Sequence, residues 1–236
     1  SGKKFPMTKT IEKIKSSPGL KRFVLKLISP SRNPRPRLWV RWFVNPFVHK
    51  RGRGAIIRRR RSRIDVFPWR RFEVGRDALI EDFTTVNNGA GDVLIGDGAR
   101  IGIGSVVIGP VRLGDRVGLG QHVFISGFNH GYSDGTRDSN KQPLDLKEVV
   151  IGNESHIGAN SVVVAGVHIG ERVQVGAGSV VTKDIPSFSV AVGNPARVIK
   201  RYDDALGVWV KTRNPQEGIR RQDDNDNSCN SGATEP

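Results

Sequence analysis

Aliphatic side chains recur at every sixth position through the middle of the chain, in two unbroken series. The first series is Ile95, Ile101, Val107, Leu113, Leu119 and Ile125, and the second is Ile151, Ile157, Val163, Ile169, Val175 and Val181. A helix brings every third or fourth residue to one face and a strand every second residue, so neither produces a period of six. This period predicts a solenoid whose short strands stack their aliphatic side chains in a common interior.

A glycine follows two of every three of these aliphatic residues, and the exceptions reveal a longer period. Gly96 and Gly102 are succeeded by Ile108, and the same alternation continues through the second series. Three hexapeptides therefore form one coil of 18 residues with three unequal sides. Glycine suits corners that need a positive φ or a close approach of two backbones. The pattern predicts an all-β fold, a parallel β-helix of about five three-sided coils, with a degenerate first coil at Val74, Ile80 and Val86.

One long insertion interrupts the repeat. Twenty-six residues separate Ser126 from Gly152, where six would continue the pattern, and the register then resumes in phase. The segment 127–150 is therefore predicted to be a loop extruded from one side of the solenoid. Long loops that leave a rigid scaffold often carry function.

Positive charge is concentrated in the N-terminal part of the chain. The formal net charge is +15, yet residues 1–72 hold 22 Lys and Arg against Glu12 and Asp65, so the remainder is mildly acidic. No nucleic-acid recognition motif accompanies this charge, and no nucleic-acid partner is expected. Residues 20–28 form an amphipathic helical pattern. The segment is predicted to cap the open edge of the solenoid, or to touch an anionic membrane as a peripheral element.

The chain is predicted to divide into four parts. A basic N-terminal segment covers 1–72, the hexapeptide solenoid covers 73–186, a short C-terminal extension covers 187–212, and a disordered polar tail covers 213–236. The tail holds the single cysteine, Cys229, which excludes a disulfide framework and a cysteine-based zinc site. No apolar run is long enough to span a bilayer. A cytoplasmic location is expected, with peripheral contact at the inner face of the membrane as an extension of it.

The repeats resemble those of the hexapeptide-repeat O-acetyltransferases. Two further motifs carry the resemblance, namely Asn129-His130-Gly131-Tyr132 at the start of the loop and the ending that runs from Gly176 through Pro186 to Lys200. The chain is similar to galactoside and maltose acetyltransferases and to acetyltransferases of surface-polysaccharide synthesis, over about residues 72–202. The resemblance implies a left-handed coil and a homotrimer with acetyl-CoA sites between neighbouring prisms. It also implies direct transfer from the thioester to a saccharide hydroxyl.

The resemblance identifies His130 as the catalytic general base. A sugar hydroxyl is a weak nucleophile, and an imidazole, which titrates near neutral pH, can accept its proton and pass it to the leaving thiolate. Three acidic residues of the loop could orient the imidazole, and the sequence does not choose among Asp134, Asp138 and Asp145.

Two further positions are implied for the reaction itself. Asn87 matches an asparagine that relatives use near the acceptor or the catalytic histidine, and this role is favoured over that of a corner residue that tolerates positive φ. The backbone N–H of Ala159 corresponds to the donor that stabilises the oxyanion. His156 stands where several relatives have tryptophan, and it either lines the pantetheine channel or caps a coil.

The acetyl-CoA site implied by the resemblance comprises six further residues. Small residues would let the pantetheine arm lie along the prism edge, and Lys183 and Arg197 suit the phosphates of the cofactor as a point charge and as a fork. The six are Gly176, Ala177, Thr182, Lys183, Pro195 and Arg197.

The function expected from these features is acetyl-CoA-dependent O-acetylation of a saccharide hydroxyl in surface-polysaccharide synthesis, with an acceptor that could be lipid-linked. One alternative is N-acetylation of a nucleotide-linked amino sugar, and another is a non-catalytic scaffold. A zinc carbonic anhydrase of similar solenoid fold would need three converging histidines. His156 and His168 are 12 residues apart and would lie on different sides of an 18-residue coil, so no metal site is expected.

Overall fold

A computed structural model describes residues 16–30 and 35–212, and a three-sided parallel β-solenoid occupies most of that range. Each coil contributes one short strand to each of three parallel sheets, here called faces A, B and C in the order in which the chain visits them. Six coils are complete, one more than the sequence predicts. The additional coil is formed by residues 50–65, which pair in parallel with the coil above them.

Nearly all strands of the solenoid are two or three residues long. Face A contains β1 (Lys50–Arg51), β4 (Phe72–Val74), β7 (Val93–Ile95), β10 (Val111–Leu113), β15 (Val149–Ile151) and β18 (His168–Ile169). Face B contains β2 (Ile56–Ile57), β5 (Leu79–Ile80), β8 (Arg100–Ile101), β11 (Gly118–Leu119), β16 (His156–Ile157), β19 (Gln174–Val175) and β21 (Ser189–Val192). Face C contains β3 (Arg63–Asp65), β6 (Thr85–Asn87), β9 (Val106–Ile108), β12 (Phe124–Ser126), β17 (Val162–Val163) and β20 (Val180–Val181).

The aliphatic series fills the interior as predicted. Ile101, Ile125 and Ile151 are fully buried and lie in one continuous apolar cluster that runs the length of the solenoid. Buried serines at the corners are satisfied by the next coil, since Ser105 Oγ donates to the carbonyl oxygen of Gly120 (3.0 Å) and Ser155 Oγ to that of Gly170 (2.8 Å). Stacking therefore buries apolar side chains without leaving these hydroxyl groups unpaired.

The glycines that follow the aliphatic residues allow close contact between coils. A Cβ atom added at Gly96 would lie 2.5 Å from the carbonyl carbon of Gly114 and 2.6 Å from the backbone nitrogen of Asp115. Neither atom can move without separating the two coils. The need for glycine here comes from the approach of two backbones.

We expect Gly96→Ala to lower the free energy of unfolding by about 1–3 kcal/mol, the usual cost of overpacking a tight site. Gly135→Ala provides the matched control, because nothing lies within 4 Å of the Cβ position in the extruded loop. The control should change stability by less than about 0.5 kcal/mol. Urea unfolding followed by circular dichroism measures both, and equal effects of the two substitutions would contradict the close-packing argument.

Helices of the N-terminal segment lie before the first coil. They are α1 (Pro18–Ile28), α2 (Leu38–Phe43) and α3 (Asn45–Val48). The amphipathic pattern at 20–28 is confirmed as a helix. Val40 of α2 is fully buried, and Asn45 Nδ2 donates to the carbonyl oxygen of Val66, 2.8 Å away. Part of the basic segment therefore packs against the end of the solenoid.

His49, which follows α3, is held in a site that disfavours its charged form. Both ring nitrogens are buried and have no hydrogen-bond partner among residues 16–30 and 35–212, and the ring packs edge-on against Phe72 with centroids 5.8 Å apart. Burial, together with the positive charge of Arg59, lowers the pKa of His49 to about 4. The imidazole is therefore neutral in the folded protein at neutral pH.

The folded protein should accordingly lose stability in mild acid. An unfolded chain protonates His49 near its ordinary pKa of 6.5 and the folded chain only near 4, so protons favour unfolding as the pH falls between these values. The loss should reach about 2 kcal/mol between about pH 7.5 and about pH 5. His49→Phe keeps an aromatic ring against Phe72 and should remove that component. Urea unfolding at the two pH values tests it, and equal pH dependence in both proteins would contradict it.

The C-terminal extension continues face B. β21 pairs antiparallel with β22 (Arg197–Asp203), and β22 with β23 (Val208–Lys211). The predicted tail 213–236 lies outside the described residues. Among residues 16–30 and 35–212, no helix is both long and apolar enough to cross a membrane.

Candidate active site

The extruded loop leaves the solenoid at the edge where face C turns into face A. It begins after β12 and returns at β15, and its base is closed by a hydrogen bond from Lys147 N to the carbonyl oxygen of Gly127 (2.8 Å). Two short antiparallel strands follow the base, β13 (Phe128–Asn129) and β14 (Asp145–Leu146). The loop is therefore an ordered hairpin with a fixed origin on the scaffold.

Gln142 holds the outer part of this loop together. Its side chain is buried, its Nε2 donates to the carbonyl oxygens of Asp134 and Arg137, each 3.0 Å away, and its Oε1 accepts from Asp134 N at 3.1 Å. A short 3₁₀ helix (Ser139–Lys141) precedes it. Sequence reasoning missed this residue, because a lone glutamine in a polar loop shows no distinguishing pattern.

His130 lies immediately after β13 and is exposed. Its ring packs edge-on against Phe128, with centroids 5.7 Å apart, and it forms no hydrogen bond within the described residues. An exposed imidazole held by one aromatic contact can accept a hydrogen bond from a substrate hydroxyl at whichever ring nitrogen carries no proton.

None of the three candidate acids contacts His130 within the described part of one chain. Asp134 accepts hydrogen bonds from the backbone and hydroxyl of Thr136, and these bonds lower the pKa of Asp134. Asp138 accepts from Asn140 N at 2.9 Å, capping the 3₁₀ helix. Asp145 forms an ion pair with Lys147 at 2.9 Å. The structure gives each carboxylate a local role within the loop.

Asn87 lies on the same column of face C as the start of the loop. The register pairs Asn87 with Ile108 and Ile108 with Ser126, so the asparagine lies two strands below Ser126. Its Oδ1 accepts from Gly89 N at 2.6 Å, while its Nδ2 has no acceptor among the described residues. Its φ is not positive, so the backbone conformation does not explain the asparagine.

Thr182 and Lys183 lie at the same edge, above the loop. They follow β20 on face C and precede Ile185, which bridges to Ile169 of face A. Both side chains are exposed, and Lys183 has no acidic partner within the described residues. We call the set formed by Asn87, His130, Thr182 and Lys183 the C–A edge group.

The remaining backbone and cofactor candidates gather at the opposite edge of face C, where face B turns into it. Gly158 and Gly176 let successive coils approach closely, since a Cβ added at Gly158 would lie 2.4 Å from Ala177 N. The carbonyl oxygen of Ala159 accepts from Gly178 N at 2.8 Å. Face B thus delivers Ala159, Gly176 and Ala177 to one edge.

Unpaired backbone donors line this edge. The residue that follows the glycine after a face B strand occupies the same position in each coil. In one coil this residue is Ile103, and its N–H donates to Glu81 Oε2 at 3.0 Å. The corresponding N–H groups of Gln121, Ala159 and Ala177 have no acceptor among the described residues. Three successive coils therefore offer donors that an acyl-CoA chain or an oxyanion could use.

The C-terminal segment extends the same edge. Val180 N donates to the carbonyl oxygen of Gly193 (3.0 Å), and Ala196 N donates to that of Val180 (2.8 Å). Pro195 is exposed between them, and Arg197 pairs in register with Val192 and donates from its guanidinium to the carbonyl oxygen of Ala196 (2.9 Å). We call the set formed by Ala159, Gly176, Ala177, Pro195 and Arg197 the B–C edge group.

His156 belongs to neither group. It lies on the outer side of face B, above Gly118, with its Nδ1 3.4 Å from Gln174 Nε2. His168 lies on face A, so the two histidines are on different sides of the coil, as their spacing predicts. No cluster of three His, Cys, Asp or Glu side chains suited to a metal ion occurs in the described ranges.

The two edge groups are separated by the width of face C. Four residue steps join Ala159 to Val163 at the end of β17, or about 13 Å at the rise of a β-strand. From β9 upward, the outer side of face C is mostly apolar, with the side chains of Val106, Ile108, Phe124, Val162, Val164 and Val180. On the two strands below, Thr85 and Arg63 continue the column of Val106. The edge between faces A and B is different, since Arg116, Glu154 and Arg172 form an exposed ion-pair ladder there.

Family comparisons match two stretches of the solenoid. The model "Bacterial transferase hexapeptide (six repeats)" matches residues 148–183, and "Hexapeptide repeat of succinyl-transferase" matches residues 92–125. The stretch 148–183 contains members of both edge groups, and the stretch 92–125 ends just before the extruded loop.

Two curated proteins with similar sequences are named as acetyltransferases. The chain is 38% identical over 108 residues to the putative lipopolysaccharide biosynthesis O-acetyl transferase WbbJ of Escherichia coli, covering 43% of this chain and 55% of that protein. It is 54% identical over 56 residues to dTDP-3-amino-3,6-dideoxy-alpha-D-galactopyranose 3-N-acetyltransferase of Aneurinibacillus thermoaerophilus, covering 24% and 29%. The chain spans about half, or less, of the length of these relatives.

A solved structure shares the fold. The N-acyltransferase AntD of Bacillus cereus, in complex with dTDP and 3-hydroxybutyryl-CoA, superposes with a TM-score of 0.57 at 23% identity, covering 66% of this chain and 85% of that one. Together with the family matches, these comparisons confirm the resemblance to hexapeptide-repeat acetyltransferases.

Proposed function

We propose that this chain, a hexapeptide-repeat solenoid of the acetyltransferase type, is an acetyl-CoA-dependent O-acetyltransferase. It would modify a saccharide hydroxyl during surface-polysaccharide synthesis. The observation that carries the proposal is the division of the candidate residues between the two edges of one apolar face. The longest of the curated matches described above, to a protein named as a lipopolysaccharide biosynthesis O-acetyl transferase, supports the acceptor class.

A homotrimer would complete the site. Face C presents valine, isoleucine and phenylalanine to the outside, with Phe124 41% exposed, which is unfavourable unless another surface covers it. Packing this face against a second copy would bring the C–A edge group of one chain towards the B–C edge group of its neighbour. The charged ladder of Arg116, Glu154 and Arg172 would remain in solvent.

The chemistry follows from this arrangement. His130 would remove the proton of the acceptor hydroxyl as its oxygen attacks the thioester carbonyl carbon. The N–H of Ala159 would stabilise the oxyanion of the tetrahedral intermediate. As the C–S bond breaks, the proton would pass from His130 to the departing thiolate of CoA. Lys183 and Arg197 would bind phosphates of the cofactor.

Acceptor-dependent release of free thiol from acetyl-CoA tests the reaction class. The panel should contain sugars, oligosaccharides and sugar nucleotides, with His130→Ala as the control. Release that requires an acceptor and disappears in the control would support transfer. Absence of acetyl-CoA binding together with absence of release would favour the scaffold alternative.

N-acetylation of a nucleotide-linked amino sugar is the second candidate. Its support is the 54% identity over 56 residues to a protein named as a dTDP-amino-sugar N-acetyltransferase. Amino-sugar nucleotides in the acceptor panel distinguish the two, because an amide product resists mild alkali whereas an ester product is hydrolysed.

A peripheral membrane contact would suit a lipid-linked acceptor. α1 has no buried residue, and Trp42, Phe43 and Phe47 of the next two helices are 67–84% exposed among many cations. Aromatic and basic side chains together favour an anionic bilayer surface. Flotation with liposomes that contain or lack anionic lipid tests the contact, and identical flotation would rule it out.

A further inference from the structure

A cavity of about 260 Å³ lies beneath the first coil, between the coil and helices α2 and α3. We call it the basal cavity. Its apolar part is formed by Ile57, Ile64 and Phe72, which belong to the interior of the solenoid. Its other side is formed by basic and amide side chains. The cavity is the lower opening of the solenoid interior, and it is distant from the loop of His130, which leaves three coils higher.

At this opening, the first coil departs from the aliphatic pattern of the solenoid interior. The register pairs Arg51 with Val74, so Arg51 stands in the column that continues through Ile95, Leu113 and Ile151. His49 precedes it by two residues and contacts Phe72. Where the coils above have apolar side chains, this coil has an arginine and a histidine. Burial of apolar surface does not explain that choice.

Positive charge in the basal cavity is not balanced. Arg41, Lys50, Arg51 and Arg59 all line it, and no acidic residue does so within the described chain. Lys50 forms an ion pair with Glu73 at 3.3 Å, whereas Arg41 and Arg59 have no acidic partner among the described residues. Burial and the charges of Arg51 and Arg41 lower the pKa of Arg59. Repulsion among these guanidinium groups would be relieved by an anion.

Unpaired polar atoms also face this space. Asn45 is 8% exposed and lines the cavity, and because its Nδ2 is fixed by Val66, its unpartnered buried atom is Oδ1, an acceptor. His49 contributes two buried ring nitrogens without partners, one of them a donor in the neutral ring. Buried polar atoms of this kind are rare without a ligand or ordered water. The site thus offers guanidinium donors and at least one acceptor.

We propose that the basal cavity binds a phosphate ester that carries a hydroxyl group, with the phosphate held by Arg41, Arg51 and Arg59 and the hydroxyl donating to Asn45 Oδ1. Arginine forks match phosphate oxygens in geometry as well as in charge. The same chemistry occurs in a free polyol or sugar phosphate and in the headgroup of an anionic phospholipid. The inference does not depend on the proposed transfer reaction, since its readout is binding.

Isothermal titration of the full chain with glycerol 3-phosphate tests the proposal, with glycerol as the uncharged comparison. The wild-type chain should bind glycerol 3-phosphate and not glycerol. Arg59→Gln should weaken binding by at least about tenfold, because it removes a charge-assisted contact inside the cavity. Arg61→Gln removes the same charge from the same turn, at a residue outside the cavity lining, and should change affinity by less than about twofold.

Vesicles distinguish the two sources of the phosphate. Flotation with phosphatidylcholine vesicles that contain phosphatidylglycerol, whose headgroup carries free hydroxyl groups, should be lost in Arg59→Gln and kept in Arg61→Gln if the ligand is a headgroup. If flotation is the same in both variants while glycerol 3-phosphate binding is lost only in Arg59→Gln, the ligand is a soluble phosphate. Failure of the wild-type chain to bind glycerol 3-phosphate, or equal loss in the two variants, would overturn the proposal. Acetyl-CoA binding should survive in both variants.

Discussion

Replacing His130 with alanine is expected to reduce the rate of acetyl transfer by about 10²–10⁴-fold, the range that a positioned general base supplies. The side chain is exposed and forms no hydrogen bond within the described residues, so its removal should leave the fold unchanged. The KM for acetyl-CoA should change little, because the B–C edge group, which we propose holds most of the cofactor, does not include His130. Steady-state thiol release with the best acceptor measures both constants.

His168→Ala is the matched control for that experiment. His168 is also an exposed histidine at a strand end of the solenoid, but it lies outside the extruded loop and belongs to neither edge group, and its backbone N–H donates to Asp184 Oδ1 at 2.7 Å. Its substitution should leave the rate within about twofold of the wild type. If both variants kept full activity, or if both lost it to the same extent, His130 would have no specific role as the base.

Val162→Asp is expected to convert the proposed trimer into monomers and to abolish transfer. Val162 lies in the middle of face C, paired in register with Phe124 below and Val180 above, so the carboxylate would enter the centre of the proposed contact. An unpaired charge buried at such a contact costs several kcal/mol. Activity should fall by at least about 100-fold, because neither edge group alone contains the whole site. Sedimentation velocity gives the oligomeric state beside the activity assay.

The same substitution on another face provides the comparison. Val150 is an outward residue of face A, paired with Arg112 and His168, and Val150→Asp places a carboxylate next to an arginine. That variant should remain a trimer and keep its activity. A monomeric but fully active Val162→Asp protein would show that the site is complete within one chain.

Mixed trimers test the shared site directly. His130→Ala leaves the B–C edge group intact, and Arg197→Ala leaves the C–A edge group intact. In a trimer that contains both chains, the intact His130 of an Arg197→Ala chain would face the intact Arg197 of a neighbouring His130→Ala chain. Recovery of activity on co-expression would therefore place the site between chains. The absence of recovery, in mixed trimers verified by mass spectrometry, would place it within one.

The solenoid could be predicted in detail because its main constraint is periodic. Every eighteenth residue returns to the same side, so Asn87, Ser126 and Thr182 could be placed on one face before any coordinates were known, and face C contains all three. The coil at 50–65 escaped prediction because it carries Arg51 in an aliphatic column and because its strands are offset by 22–23 residues from the next coil. A hexapeptide period cannot be detected across such offsets.

The candidate site was predictable only in part. The loop, its histidine and the small residues of the edge were visible as motifs in the sequence. The buried Gln142 that organises the loop was not, because its role depends on backbone groups of Asp134 and Arg137 that approach it only in the folded hairpin. The hydrogen bonds and the ion pair that Asp134, Asp138 and Asp145 form within the loop could not be predicted either, because carboxylates near a histidine look alike in sequence.

The order of residues along this chain by itself determined a stacked, three-sided parallel fold, because only that arrangement buries an aliphatic residue at every sixth position. It also determined which residues share a face. Only the tertiary structure decided that the candidate residues divide between two edges of an apolar face, and that His49, Arg51 and Asn45 meet at the open lower end. Those distances depend on how wide a face is and on where the helices pack, and no period in the sequence encodes either quantity.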